Sequence, residues 1–299
     1  MEGFGTYRLQ KGMVVAMKRK NRTIDVICYA FLLTVLAVTL FPLVYTILSS
    51  FKTNMELLSD PGRIFPKTFT VDNYIRAWNS DSLQVGRMFI NSVLYTLGCV
   101  LIMLTASSLY GYVFARGRFR GKKILFTVFS SLMFISLGSI TIYPQFEVLS
   151  LFNLSKSLMG LVILTCFGIP VVNMYLVKGF IAALPKELDE SARIDGCTFT
   201  GIFFRIILPL LKPIMSTIAV LTFNGTWNSY IMPAMFTMTR TDQQTLIVGI
   251  MALKNSGQGA SQWNLMLAGT VIAMIPVLVV YATANKYFVS GLIEGAVKG

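Results

Sequence analysis

The chain has 299 residues, of which 55% are hydrophobic and 13% are charged, and its formal net charge is +13. This balance is too apolar for a soluble globular domain and indicates an integral membrane protein. Because the sequence contains no histidine, it excludes a Ser-His-Asp triad, a Cys-His pair and a histidine-ligated zinc site. We therefore expect a non-catalytic chain.

Six apolar runs follow one another along the chain, each close to or beyond the roughly 20 residues that cross a hydrocarbon core of about 30 Å. The first run is too long for the apolar region of a signal peptide, so we interpret it as a retained first transmembrane helix. The runs cover residues 24–49, 88–115, 124–146, 157–177, 214–238 and 263–285. They predict an all-α integral membrane protein of about six transmembrane helices, forming a single membrane domain over residues 1–299.

The segment between the first two runs, residues 50–87, contains Pro61, Gly62 and Pro66. An amphipathic stretch follows around Tyr74 and Trp78. This pattern predicts a loop and then a short helix lying at the membrane surface.

The basic residues cluster at the ends of the apolar runs, in the N-terminal segment, residues 116–123, residues 184–212 and the C-terminal tail. A nucleic-acid partner would require them along one face, so membrane orientation explains them better. With six spans these four segments share one side. We therefore predict that both termini are cytoplasmic.

Residues 185–213 form a charged segment, punctuated by proline and glycine, between two apolar runs. Pro185 suits a first helical position, acidic residues favour the N-terminal turn, and Gly196 can supply a left-handed stop. The predicted helix is about 15 Å long at 1.5 Å per residue. Thr198 can then cap a second amphipathic turn that continues until Pro209 bends the chain. The sequence thus predicts two short helices joined at Gly196, which we call the elbow.

The order Glu190-Ser191-Ala192, then Gly196, then Ile206-x-Leu208-Pro209 resembles the EAA loop of permease subunits of ATP-binding-cassette (ABC) importers. Ser191 stands where that pattern has alanine. The resemblance implies a type I ABC importer permease fold with a transmembrane core over 88–285 and a cytoplasmic coupling loop over 186–206. The residues that it assigns to coupling are Glu187, Glu190, Ser191, Ala192, Asp195, Gly196, Ile206, Leu208 and Pro209.

The resemblance also implies a set of partners. They are a second permease subunit, expected to be a different chain, two copies of a cytoplasmic ATPase, an extracytoplasmic solute-binding protein and membrane lipid. ATP and Mg would lie on the ATPase, and no cofactor is expected on this chain, which lacks a G-x-x-x-x-G-K-[ST] loop. The implied location is the cytoplasmic (inner) membrane of a bacterium.

Further motifs are similar to the carbohydrate branch of this family, which includes the MalG subunit of the maltose importer. They are Asn91-Ser92, the run 110–116 with Phe119 and Gly121, Trp227-Asn228, the run 287–291 and the terminal 295–299. They imply import of a sugar or oligosaccharide by alternating access. An importer of another solute remains the alternative, and an ion-coupled secondary transporter is disfavoured by the charge-free spans.

Polar side chains within the spans are the candidates for the substrate path, because an unsatisfied amide is costly in hydrocarbon. Aromatic faces and amides also suit a sugar. The same residues could instead bond across helices, with about 0.6 kcal/mol of stabilisation each. The candidates are Asn91, Asn173, Asn224, Trp227, Asn228 and Tyr230.

Overall fold

The computed structural model describes residues 22–79, 84–135, 138–255 and 262–296, and only the backbone is described from residue 285 onward. Within these ranges the chain is helical and contains no strand. The basic N-terminal segment and the side chains of the C-terminal motifs lie outside the described residues.

The helices are α1 (Arg22–Ser49), α2 (Asn54–Ser59), α3 (Asp72–Asn79), α4 (Val85–Arg116), α5 (Lys122–Ser131), α6 (Ile142–Leu151), α7 (Leu158–Phe167), α8 (Val171–Ala183), α9 (Glu187–Ile194), α10 (Phe199–Ile202), α11 (Leu208–Leu210), α12 (Lys212–Trp227), α13 (Ile231–Thr237), α14 (Leu246–Asn255) and α15 (Trp263–Ala296).

Three of the described helices, α1, α4 and α15, are long and apolar enough to cross a membrane. Two bent pairs pass the same test together, α7 with α8 at 48° and the segment Phe199–Leu210 with α12 at 74°. The all-α membrane fold is thus confirmed, with up to five spans by length and composition in the described ranges. The first of the predicted spans, 24–49, corresponds to α1.

The apolar run over residues 124–146 does not form a single continuous helix. α5 ends in a 3₁₀ turn, Leu132–Phe134, and α6 is preceded by another, Gly138–Thr141. Gly138 has a φ of 51°, which is outside the right-handed helical range, and Pro144 lies in the first turn of α6. A proline there removes no helical hydrogen bond, so it suits a helix that begins anew.

α4 is the axis of the bundle, because three separate apolar clusters lie along it. Its first turns, with Met88, pack against α3, α14 and α15. Its middle, with Tyr95 and Cys99, packs against α6, α7 and α13. Its last turns, with Tyr112, pack against α8, the elbow and α12.

The segment between α1 and α4 confirms the predicted loop and short helix, with α2 added in the loop. Asn73 of α3 is buried, and its amide donates to the main-chain oxygens of Ser50 at 2.7 Å and Lys52 at 2.8 Å. Its Oδ1 accepts from the amide of Asn264 at 2.7 Å. One side chain therefore joins the end of α1 to the start of α15.

Helices α4 and α8 are in tight contact at Gly111. A Cβ added there would lie 2.6 Å from the Cβ of Val177 and 3.2 Å from the main-chain nitrogen of Lys178. Backbone cannot yield as a flexible side chain can, so this position requires glycine. Close helix approach through small residues is a usual means of packing in membranes.

We predict that Gly111→Ala destabilises the protein by about 1 to 3 kcal/mol, as overpacking commonly does. Gly179→Ala is the matched control, because nothing lies within 4 Å of a Cβ at that position in α8. The measurement is the thermal unfolding midpoint in detergent. Equal midpoints for the two variants would contradict the close contact.

Candidate functional site

The elbow begins with α9, which starts at Glu187 rather than at Pro185 as the sequence suggested. Lys186 is the N-cap, and its main-chain oxygen accepts from the amides of Asp189 at 3.0 Å and Glu190 at 3.1 Å. Three acids in the first turn favour this end of the helix dipole. A helix of eight residues is marginal alone, so α9 depends on packing.

Gly196 ends α9 as predicted, with a φ of 80°. Its amide donates to the oxygen of Arg193 at 3.0 Å, and the amide of Cys197 donates to that of Ala192 at 2.9 Å. This pair of bonds is the Schellman motif, which satisfies carbonyls at a helix end. A Cβ at Gly196 would meet nothing within 4 Å, so the requirement for glycine is conformational rather than steric.

Thr198 restarts the helix as predicted, because its hydroxyl accepts from the amide of Gly201 at 3.1 Å. The chain continues through a π-helical turn, Phe203–Ile207, and passes Pro209 without bending there. The predicted bend at Pro209 is instead at Leu211, where α11 and α12 meet and Pro213 opens α12. A π turn accommodates a proline that lacks an amide hydrogen.

The inner side of the elbow is fixed to the end of α4. Ala192 and Ile207 are buried in the same cluster as Tyr112. The Tyr112 hydroxyl donates to the main-chain oxygen of Phe199 at 3.0 Å, and the two rings stack with centroids 4.5 Å apart. Of the predicted coupling residues, Ile206 and Leu208 are half-buried against this cluster, and Pro209 is exposed.

A buried ion pair holds α9 from the other side. Arg116 Nε, at the last residue of α4, lies 2.7 Å from Asp189 Oδ2, and both side chains are more than nine-tenths buried. The Arg116 guanidinium also donates to the oxygen of Leu184 at 2.9 Å, just beyond α8. The geometry of the pair is not that of an aligned hydrogen bond, and Asp189 Oδ1 has no hydrogen-bond partner among the described residues.

The outer side of the elbow is left uncovered, and we call it the exposed face of α9. It combines carboxylates with apolar side chains, including Ile194, which is 87% exposed. Its other members are Glu187, Leu188, Glu190, Ser191 and Asp195. This side of the helix therefore presents charged and apolar side chains together, outside the packing of the chain itself.

The structure separates the candidate substrate-path residues into two groups, those that are bonded within the chain and those that are more exposed. The Asn91 amide donates to the main-chain oxygens of Asp242 and Gln244, at 3.0 Å each, so Asn91 fixes a loop to α4. Trp227 is buried, and its indole donates to the oxygen of Ala273 in α15 at 3.0 Å. These two contacts are helix and loop packing.

The loop that Asn91 holds is stiffened by its own ion pair. The Arg240 guanidinium donates to both carboxylate oxygens of Asp242 at 3.0 Å. This hydrogen bonding holds the pKa of Asp242 below its usual value. The loop therefore carries an ion pair where it meets α4.

The other candidates are more open. Asn228 and Asn224 are exposed on α12, and the Asn228 amide donates to Asn224 Oδ1 at 2.9 Å. Within the described part of the chain, the Asn224 amide nitrogen has no acceptor. Tyr230 is exposed and Asn173 is half-buried, so these four are separated from the packing that holds Asn91 and Trp227.

A family model for the inner membrane component of binding-protein-dependent transport systems matches residues 107–294, more than half of the chain. The chain belongs to this family. The match includes the whole elbow and confirms a multi-pass, non-catalytic permease of the inner membrane.

Two curated relatives extend the likeness over nearly the full length of the permease. It is 34% identical to the galactooligosaccharides transport system permease protein GanQ of Bacillus subtilis, over 96% of this chain and 100% of that protein. It is 32% identical to the arabinooligosaccharides transport system permease protein AraQ of the same organism, over 87% of this chain and 91% of AraQ.

A solved structure has the same fold. It is a chain of a bacterial ABC transporter involved in the import of the acidic polysaccharide alginate, with a TM-score of 0.77 and 21% identity, covering 91% of this permease and 98% of that chain. This likeness confirms the fold of an ABC importer permease.

Sequence reasoning missed the Arg116–Asp189 pair. Arg116 looked like an ordinary basic flank of a span, and Asp189 like one of several acids at a helix start. The two residues are 73 positions apart (189 − 116), and no local spacing joins them. One feature of the sequence could have suggested the pair. Arg116 and Asp189 carry opposite charges, and each lies next to the end of an apolar run.

Because Trp227 is buried and Asn228 is exposed, we predict that substitutions at these neighbouring residues differ in their effect on stability. Trp227→Ala should destabilise the permease by about 3 to 5 kcal/mol, the usual cost of deleting a buried large aromatic side chain. Asn228→Ala should change stability by less than about 0.5 kcal/mol, as at other exposed sites. Thermal unfolding in detergent measures both, and a loss of stability in Asn228→Ala as large as that in Trp227→Ala would refute the division.

Proposed function

We propose that this chain is one of two permease subunits of an ATP-driven importer, and that the importer moves an oligosaccharide across the bacterial inner membrane. The likeness over nearly the full length to permeases named for galactooligosaccharides and arabinooligosaccharides carries this proposal. Membership of a binding-protein-dependent family supports a solute-binding protein as the donor of the sugar. A non-sugar importer is the other outcome that a transport assay can reveal.

The coupling role belongs to the exposed face of α9. Its acids can pair with cations of a partner, and its exposed Ile194 can enter an apolar recess. The inner side of the same helix is fixed to α4, so a push on the outer side is transmitted to the bundle rather than absorbed by the loop. Two copies of a cytoplasmic ATPase, carrying ATP and Mg, are the partners that this role requires.

The exposed amides of α12 support a second permease subunit. Asn224 and Asn228 lie within a span, yet the side-chain partner of the Asn228 amide in this chain is Asn224 itself. The Asn228 amide donates to Asn224, but the Asn224 amide nitrogen has no acceptor among the described residues, and lipid would supply none. A facing subunit, expected to be a different chain, would cover them or enclose with them a path for sugar hydroxyl groups.

The orientation follows from the basic loops and predicts a labelling pattern. In a variant with the four native cysteines replaced, Arg120→Cys should be shielded from an impermeant thiol reagent in intact cells, because the 116–123 loop is cytoplasmic. Gly62→Cys, in the loop between α2 and α3, should be labelled. Residue 257 would be an equivalent external site but lies outside the described residues. Labelling of Arg120→Cys from outside would reverse the proposed orientation.

The decisive experiment combines co-purification with transport. The tagged permease should co-purify with an ATPase, and the reconstituted complex should hydrolyse ATP faster with a loaded binding protein and take up an oligosaccharide. Glu190→Lys replaces an attraction worth about 1.5 to 3 kcal/mol by repulsion and should weaken ATPase binding about tenfold or more. Gly196→Val should also weaken it, because a β-branched residue resists a φ of 80°.

Glu147→Lys is the matched control, since Glu147 is an exposed acid on α6, outside the elbow. It should insert in the membrane and bind the ATPase like the unmodified chain. If Glu190→Lys and Gly196→Val also bound the ATPase normally, the elbow would not be the coupling site. Uptake of a solute other than a carbohydrate would replace the proposed substrate class.

A further inference from the structure

Arg116 joins α4 to α9 and to the connection between α8 and α9. It is the last residue of α4, it contacts Asp189 in the first turn of α9 at 2.7 Å, and it donates to the oxygens of Leu184 at 2.9 Å and Pro185 at 3.4 Å. The two charged side chains are buried. An arginine can make these contacts together because its planar guanidinium has five donors.

We propose that the Arg116–Asp189 pair is the positioning contact that converts movement of α9 into movement of α4. The inference rests on the proposed function, since it assigns residues of this chain to transmission after the ATPase has bound. The exposed face of α9 binds, and the buried pair transmits. The two roles are separable because Asp189 is on the inner side of the helix and cannot reach a partner on the outer side.

The position of the pair explains why it transmits force better than the apolar contacts around it. Apolar side chains such as Ala192 can slide over one another with little change in contact. A charged pair withdrawn from water cannot separate without leaving two uncompensated charges. The helix ends reinforce it, because a cation is favoured at the C-terminus of α4 and an anion at the N-terminus of α9.

The unused oxygen of Asp189 fits a contact that moves. Both carboxylate oxygens are buried without a hydrogen-bond partner among the described residues, and Oδ2 is the one that lies 2.7 Å from Arg116 Nε. A small rotation of α9 could transfer the Arg116 contact from one carboxylate oxygen to the other without breaking the pair. The pair can thus remain closed while the angle between α9 and α4 changes.

The test is the number of oligosaccharide molecules transported per ATP hydrolysed in proteoliposomes. Asp189→Asn should retain the co-purified ATPase but lower this ratio about fivefold or more, at the lower end of typical coupling between sites. Hydrolysis without the binding protein should rise. Asp189→Glu keeps the charge and should restore most of the ratio.

Two further variants separate transmission from folding. Arg116→Met combined with Asp189→Leu removes both charges, so no unpaired charge stays buried. It should insert normally and still show the lowered ratio. Asp72→Asn is the control, because it removes an acid from an exposed ion pair with Arg76 on α3, 3.9 Å apart, and it should keep the ratio of the unmodified permease.

The outcomes distinguish a failure of the proposed function from a failure of the positioning role alone. If the unmodified permease neither bound an ATPase nor transported any oligosaccharide, the proposed function would fail. If it coupled normally and Asp189→Asn or the double variant coupled equally well, only the positioning role would be overturned. Loss of the ATPase from Asp189→Asn would also overturn it, because the pair would then be needed for binding rather than for transmission.

Discussion

The buried contact between Arg116 and Asp189 fixes the elbow to the helix on which the rest of the bundle is built. Burying two charges is costly unless they are paired, so this contact opposes any separation of α9 from the end of α4. All three apolar clusters lie along α4. A helix attached to its end is therefore held relative to the whole membrane domain, although α9 has only eight residues.

The residues of α9 that pack against the rest of the chain are different from those that are exposed. Stability comes from the inner side, where Ala192 and Asp189 are buried. The outer side, where Glu190 and Ile194 are exposed, takes no part in that packing. Gly196 sets the angle at which the chain leaves α9 through its left-handed conformation, and nothing in this chain lies within 4 Å of a Cβ at that position.

Local rules explain which parts of the sequence were predictable. The stop at Gly196 and the cap at Thr198 depend on a few consecutive residues, and both were predicted correctly. The breaks within residues 124–146 and the bend at Leu211 were missed, because an apolar run looks the same whether its helix is continuous or broken. Partners such as Asp189 for Arg116, or residues 242 and 244 for Asn91, depend on packing between distant segments, which no local periodicity records.

The polar residues of α12 show how packing gives different roles to residues of similar chemistry. Trp227 and Asn228 are adjacent, yet the indole is buried against α15 while the amide points away from this chain's core. A hydrogen-bonding group that a helix bundle does not satisfy internally must meet water, solute or another subunit, because hydrocarbon offers it no partner. The exposed amides therefore mark a side of α12 that suits a polar neighbour better than lipid. Packing against neighbouring helices, rather than residue type, thus decides which polar side chain at this end of α12 is held inside the chain and which is left exposed.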